Sequence, residues 1–179
     1  MDIREYLDEP DKRYMGMIKD IRDKFDLKGK IGLLIFDKDP RIYEDAKLKQ
    51  DPVDISNTIT VLGDEMVADK MSGGSPTLPT HMAAGTGTPS PNSSAATTLG
   101  TELVRVALDS TAQGTGANDN DVIWTCTFGP AVGTGAWTEA GIFNAGSNGV
   151  MFCFTTFLVV NKAAGDTIVI IWTLTCGAS

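Results

Sequence analysis

The stretch Trp137-Thr138-Glu139-Ala140-Gly141-Ile142-Phe143-Asn144, followed by Ala145-Gly146-Ser147-Asn148-Gly149 and the run 150–158, decides how this chain folds. Two runs rich in β-branched and aromatic residues flank a segment of Asn and Gly, residues that accept positive φ. That combination predicts a β-hairpin. Glu139 is the exception inside it. An acid within an apolar strand calls for a cation, and residues 57–179 offer only Lys70, Arg105 and Lys162. Arg105 is the expected partner. With Glu102 beside it, the set Glu102, Arg105 and Glu139 is expected to form a buried ion pair that fixes strand pairing, so that Arg105→Ala would unfold the domain.

Working outward from the hairpin, further strand-like runs occupy residues 81–84, 103–108, 122–128, 136–143 and 167–176. Ile168, Ile170, Trp172, Leu174 and Cys176 fall on one face of the last run, with Thr173 and Thr175 on the other. Trp124, Cys126 and Phe128 alternate in the same way with Thr125 and Thr127. Short alternating strands separated by Gly, Asn and Ser turns predict a mainly β fold, an antiparallel β-sandwich. One small helix belongs to it, from the stripe Ile59, Leu62, Met66 and Val67, which ends at Ser72-Gly73-Gly74-Ser75-Pro76. The loops 109–121 and 129–135 are expected to project.

Charge divides the chain. Residues 1–56 hold 12 Lys or Arg and 14 Asp or Glu, whereas residues 57–179 hold 3 and 9. The contrast predicts two units: a charged N-terminal helix and extended arm at 1–56 and the β-sandwich at 57–179. In the first, Pro10 suits the first turn of a helix, and Tyr14, Ile18, Ile21 and Phe25 fall on one face up to a stop at Gly29. The apolar run 31–36 follows as one strand, and residues 41–55 read as an extended polar segment. An apolar stripe of this size has to be buried against something, at roughly 1.5 to 3 kcal/mol per large side chain. Tyr14, Ile18, Ile21, Phe25, Ile31, Leu33 and Ile35 are therefore the expected anchor. The strand is suited to adding onto a neighbour's sheet.

Composition excludes several functions. The net charge of −8 and sequence pI near 4.5 argue against a nucleic-acid surface. No apolar run approaches the roughly 20 residues of a membrane helix. The charged start Met1-Asp2-Ile3-Arg4-Glu5 lacks the pattern of a signal peptide, so synthesis in a cytosol is expected. Cys126, Cys153 and Cys176 have no metal-ligand spacing and read as small buried hydrophobes; whether any of them pair is open. His81 is the only histidine and is expected to be structural, bonded to a neighbouring carbonyl. The Gly85-Thr86-Gly87-Thr88-Pro89 run lacks the Lys-Ser/Thr ending and the following helix of a phosphate loop. No cofactor and no metal are expected.

The ordered series 57–60, His81-Met82-Ala83-Ala84-Gly85-Thr86-Gly87-Thr88, 98–105, 137–144, 150–152 and Lys162-Ala163-Ala164-Gly165-Asp166-Thr167-Ile168 resembles a domain of tailed-bacteriophage virion proteins. It is similar to the tail-collar domain of phage tail fibres and to free-standing structural proteins of the same pattern, over about residues 57–179. The resemblance implies a non-enzymatic structural protein made in the bacterial host cytoplasm and resident in the virion. Its expected partners are its own copies, as a homo-oligomer, and neighbouring capsid, neck or tail proteins. No shaft or receptor tip follows the domain and a charged arm precedes it, so a decoration, collar or neck component is expected. The alternative is a glycan-binding or tail-fibre-attachment module at the tail or baseplate. For that reading Trp137, beside the 133–135 loop, is the candidate glycan or subunit contact, although a place in the core or at a subunit contact is the favoured reading of this residue over sugar binding. Glu102 and Glu139 could also be imagined as a glycosidase carboxylate pair, but the structural ion pair accounts for them more simply.

Overall fold

The computed structural model describes residues 25–49 and 53–178. Ten strands form two antiparallel sheets. They are β1 (Phe25–Phe36), β2 (Val53–Ser56), β3 (Thr58–Ile59), β4 (His81–Gly85), β5 (Glu102–Ala107), β6 (Ser110–Gln113), β7 (Asp121–Phe128), β8 (Gly135–Phe143), β9 (Met151–Lys162) and β10 (Thr167–Ala178). The helix α1 (Val61–Met71) lies between β3 and β4. One sheet, called A below, has the order β2-β1-β10-β7-β6; the other, B, has the order β3-β9-β8-β4-β5.

The alternation of each strand selects its core face. Ile168, Ile170, Trp172 and Leu174 of β10 are buried, as are Trp124, Cys126 and Phe128 of β7. They meet Met82, Ala84, Trp137, Ala140, Ile142 and Phe152 of sheet B in one cluster. The rings of Phe128 and Trp137 pack edge to face at 5.0 Å, and those of Trp124 and Phe152 at 5.7 Å. The expectation of a mainly β chain with two antiparallel sheets and one helix therefore holds among the described residues. The helix starts two residues later than its stripe suggests. Thr60 caps it, its hydroxyl accepting from the Gly63 amide at 2.9 Å, and Ile59 pairs in β3 instead.

The expected division at Ser56 is corrected by β1. This strand pairs with β10 along its whole length, from Phe25↔Ala178 to Phe36↔Thr167, and with β2 from Lys30↔Ser56 to Leu33↔Val53. Ile31, Leu33 and Ile35, expected in an anchoring strand, are core residues, exposed by 4% or less. With both of its edges paired, β1 has no ladder to offer a neighbour over residues 30–33. Phe25 heads this strand rather than closing a helical stripe, and Gly29, expected as a helix stop, sits inside the strand against the Asn57 side chain, which fills the space a Cβ would need. The charge contrast misled because Lys28 and Lys30 of β1 are exposed on the face of sheet A away from Ile31, Leu33 and Ile35, so a strand that carries charge is still a central one. Tyr14, Ile18 and Ile21 lie outside the described residues.

Loop 109–121 is also more ordered than expected. Its first part forms β6, paired with β7 from Ser110↔Thr125 to Gln113↔Val122.

Candidate functional site

The residues picked out by the sequence converge on the outer face of sheet B. Along β8, Ala140 and Ile142 point into the core while Gly141 and Phe143 point outward. A register shift between Trp137 and Glu139, opposite residues 156–160 of β9, changes the phase of alternation. Trp137 is thereby turned into the core and Glu139 toward the outer side.

Glu139 is fully buried, and its partner is backbone rather than Arg105. One carboxylate oxygen accepts from the Gly87 amide at 2.9 Å and the Thr101 amide at 2.8 Å, and the other from the Gly100 amide at 2.8 Å. Converging main-chain N–H groups form an anion nest, here filled by the chain's own acid. The Thr138 hydroxyl adds a bond to the Gly87 carbonyl at 2.8 Å. This is why Gly85-Thr86-Gly87-Thr88 is glycine-rich. A Cβ at Gly85 would collide with Glu139 and the Thr101 carbonyl, and one at Gly100 with the Thr88 backbone. The carboxylate thus ties both ends of the 86–101 segment to β8. Between its ends the segment lays Ala96 and Leu99 on Ala83, Phe143, Met151 and Phe154, forming a second small core outside sheet B.

Arg105 holds a neighbouring turn. It forms a bidentate pair with Glu102 at 2.6 and 3.0 Å and donates to the Ala145 and Asn148 carbonyls at 2.9 and 2.7 Å. Its guanidinium lies 3.6 Å from the centre of the Phe143 ring. The Glu102–Arg105 half of the expected pair is present, and the Glu139 half is replaced by the nest. The reason is distance along the pattern: the 86–101 segment brings three orphan amides to Glu139 and takes up its oxygens before any side chain is needed. With both oxygens engaged by backbone amides and the side chain fully buried, Glu139 is placed as a structural tie rather than as an acid–base partner of Glu102.

Trp137 takes the core place favoured for it over a sugar contact. It is fully buried, and its indole N–H donates to the Gly133 carbonyl at 2.6 Å, so it presents no face to a sugar. His81 is held by a hydroxyl rather than a carbonyl, with Nδ1 2.8 Å from Oγ1 of Thr80. The cysteines are free thiols, and burial pushes the Cys126 thiol up to about 12.

A second polar knot escaped the sequence reading. Lys162, 2% exposed, donates to the Gly129 carbonyl at 2.8 Å and the Asp166 carbonyl at 2.6 Å. Burial lowers its pKa, against the pull of Asp166. The Asp166 carboxylate receives Lys49 at 2.9 Å and the Ala163 amide at 3.0 Å. Burial pushes the Asp166 carboxyl up, but these bonds and the nearby positive charges outweigh it and leave its pKa lowered. Asp39, 3% exposed, is held low mainly by its hydrogen bonds from Arg41. Asp166 fastens the 37–49 loop to the 163–166 turn through Lys49, whereas Asp39 braces the loop internally through Arg41. The Gly165-Asp166 turn was the one available signal, read only as part of a motif.

Among the described residues no cluster of three His, Cys, Asp or Glu side chains could hold a metal, and no helix is long and apolar enough to cross a membrane. An apolar groove of about 230 Å³ opens between α1 and the sheets, lined by Met66, Met71, Leu78, Trp124, Leu174 and Cys176 among others. No family model, no curated protein and no solved structure matches the chain.

Proposed function

We propose that this protein is a non-enzymatic structural component of a tailed-phage particle, a decoration, collar or neck element, attached through the part of its charged N-terminal segment that precedes β1 and self-associating in the assembly. The observation that carries the reading is the meeting of three motifs of the phage-like series at one knot. Glu139 of 137–144 binds amides from the Gly85–Thr88 run and from 98–105, and Arg105 of that third motif braces the turn after Asn144. Residues with catalytic potential elsewhere are thus employed in tying a loop and a turn to a sheet, which suits a rigid building block. Burial of Trp137 leaves the glycan-binding alternative without its candidate residue.

The test is immunogold electron microscopy of purified particles of the encoding phage, with an antibody against residues 57–179, paired with mass spectrometry of the same particles. Gold at one defined location on head, neck or tail end is the expected result. Absence of the chain from the particles by mass spectrometry would overturn the proposal.

A further inference from the structure

The first residues of β1 lie beside the apolar groove under α1. The floor of this groove is the end of the core, with Trp124 and Leu174 from sheet A and Phe152 from sheet B. Its lip is apolar too, for Met71 is 75% exposed and Leu78 50%. Cys176 lines the same groove and stands opposite Leu27 in the ladder of β1 with β10, one strand spacing of about 4.8 Å away. Phe25, where β1 starts, is two residues further on, opposite Ala178.

The position of Phe25 confines what precedes it. Ile21 is four residues back, and an extended chain spans at most about 3.6 Å per residue, so its Cα lies within roughly 14 Å of that of Phe25. Ile18 and Tyr14 stand three and seven residues before Ile21, the spacing by which a helix seats one apolar face in a groove. On the outer face of sheet A that reach meets Lys28, Asp121 and Thr175; on the inner face it meets the groove. The exposed apolar residues Ile42, Tyr43 and Leu48 lie beyond Phe36, at the other end of a 12-residue strand about 37 Å long. A groove of about 230 Å³ also has the room, since a cavity of roughly 150 Å³ accepts a benzene ring, and its methionines can adapt to an entering side chain.

We infer that this groove is the docking site of the chain's own residues 14–21, seated as a helix with Ile21 nearest Cys176 and with Ile18 and Tyr14 following toward Met71 and Leu78. The docking is within one copy. A tether of four residues holds Ile21 at its own groove at an effective concentration in the millimolar range, which a second copy at ordinary protein concentration does not match. The inference does not rest on the assembly reading. It divides the N-terminal segment, so that the attachment proposed above falls to residues 1–13.

Cys176 reports on the cover, because Cys126 and Cys153 are buried. The experiment follows maleimide modification of the native full chain, located by peptide mass spectrometry, over a range of protein concentrations. Wild type is compared with Ile18→Asp and with Lys19→Gln, which makes the same charge change away from the stripe. Ile18→Asp should speed the modification of Cys176 by about tenfold or more, the low end of what the loss of one buried isoleucine gives. Lys19→Gln should leave the rate unchanged, and the wild-type rate should not depend on concentration. A second arm does not depend on how Ile18→Asp folds: in Ile21→Cys, mild oxidation should join position 21 to Cys176 within one chain, since a disulfide forms only where the two Cα atoms come within about 7 Å. Equal rates in wild type and Ile18→Asp, equal acceleration by both variants, or protection that fades on dilution would overturn the inference. So would a disulfide that forms only between copies or not at all. None of these outcomes bears on whether the chain is found in particles, so the two proposals fail separately.

Discussion

The outer faces of the two sheets are built from the same kind of alternating strand and end in opposite states. On sheet B, the 86–101 segment covers Ala83, Phe143 and Phe154. On sheet A, Leu34 and Val169 stay half-buried and Ile171 is 39% exposed, among Lys30, Thr173 and Thr175. The difference lies in who accepts the backbone donors. A loop pressed onto a sheet brings its own N–H groups out of water, and each buried donor left without an acceptor costs about 1 to 3 kcal/mol. Sheet B answers that cost with one buried carboxylate, placed outward by a shift in strand register. On the outer face of sheet A the described acid, Asp121, is only half-buried and accepts from the Thr175 hydroxyl at 2.6 Å rather than from a covering loop, and the threonines and lysines there remain compatible with water.

The largest effect that would break this contrast is Glu139→Ala. Three amides lose their acceptor together, and we expect a loss of at least about 3 kcal/mol in denaturant unfolding. A variant within about 1 kcal/mol of wild type would show that water satisfies those amides equally well. Leu99→Ala comes next. Leu99 is 6% exposed beneath the covering segment, and its truncation should cost about 2 to 3 kcal/mol. Arg105→Ala should cost about 2 kcal/mol, because it strips the Ala145 and Asn148 carbonyls of their donor and uncovers Phe143. That is destabilisation without unfolding, since Glu139 does not depend on this arginine; a fully unfolded variant would restore the ion-pair account.

A smaller effect separates these knots from the Asp39 and Asp166 fastenings. Both acids have pKa values lowered from 3.8 in the fold. The unfolded chain therefore binds protons first as pH falls, and the stability these groups add at neutral pH disappears as pH drops through their folded values. As pH falls below about 4 the melting temperature should fall, and an Asp39→Asn, Asp166→Asn double variant should show a shallower acid limb than wild type. Parallel limbs would mean that other carboxylates control acid unfolding. Smallest of all, Ile171→Ala on the face of sheet A that no described segment covers should change stability by less than about 1 kcal/mol. A loss as large as that of Leu99→Ala would mean that this face is covered after all.

Much of the fold was legible because alternation is local. The faces of β7 and β10 and the hairpin after Asn144 follow from period-two patterns and turn chemistry. The place of Ile31–Phe36 was not legible. A continuous apolar strand is equally at home at an edge or in a centre, and only its pairing with β10, more than 130 residues away, decides between them. The partner of Glu139 was hidden for a related reason. Sequence displays candidate cations, but it does not display backbone amides, which every loop carries and any fold can aim. A place in the core was the favoured reading of Trp137 over a sugar contact, but the register shift that turns it inward is announced by no pattern.

The most direct test of the account is amide hydrogen exchange, read residue by residue, in wild type and Glu139→Gln. The glutamine keeps the size of the side chain and replaces one acceptor oxygen with a donor. The account predicts strong protection of Gly87, Gly100 and Thr101 in wild type and its selective loss in the variant, with β1 and β10 of sheet A unchanged. Unchanged protection of the three amides, or equal loss across both sheets, would contradict a cover held on sheet B by a single buried carboxylate.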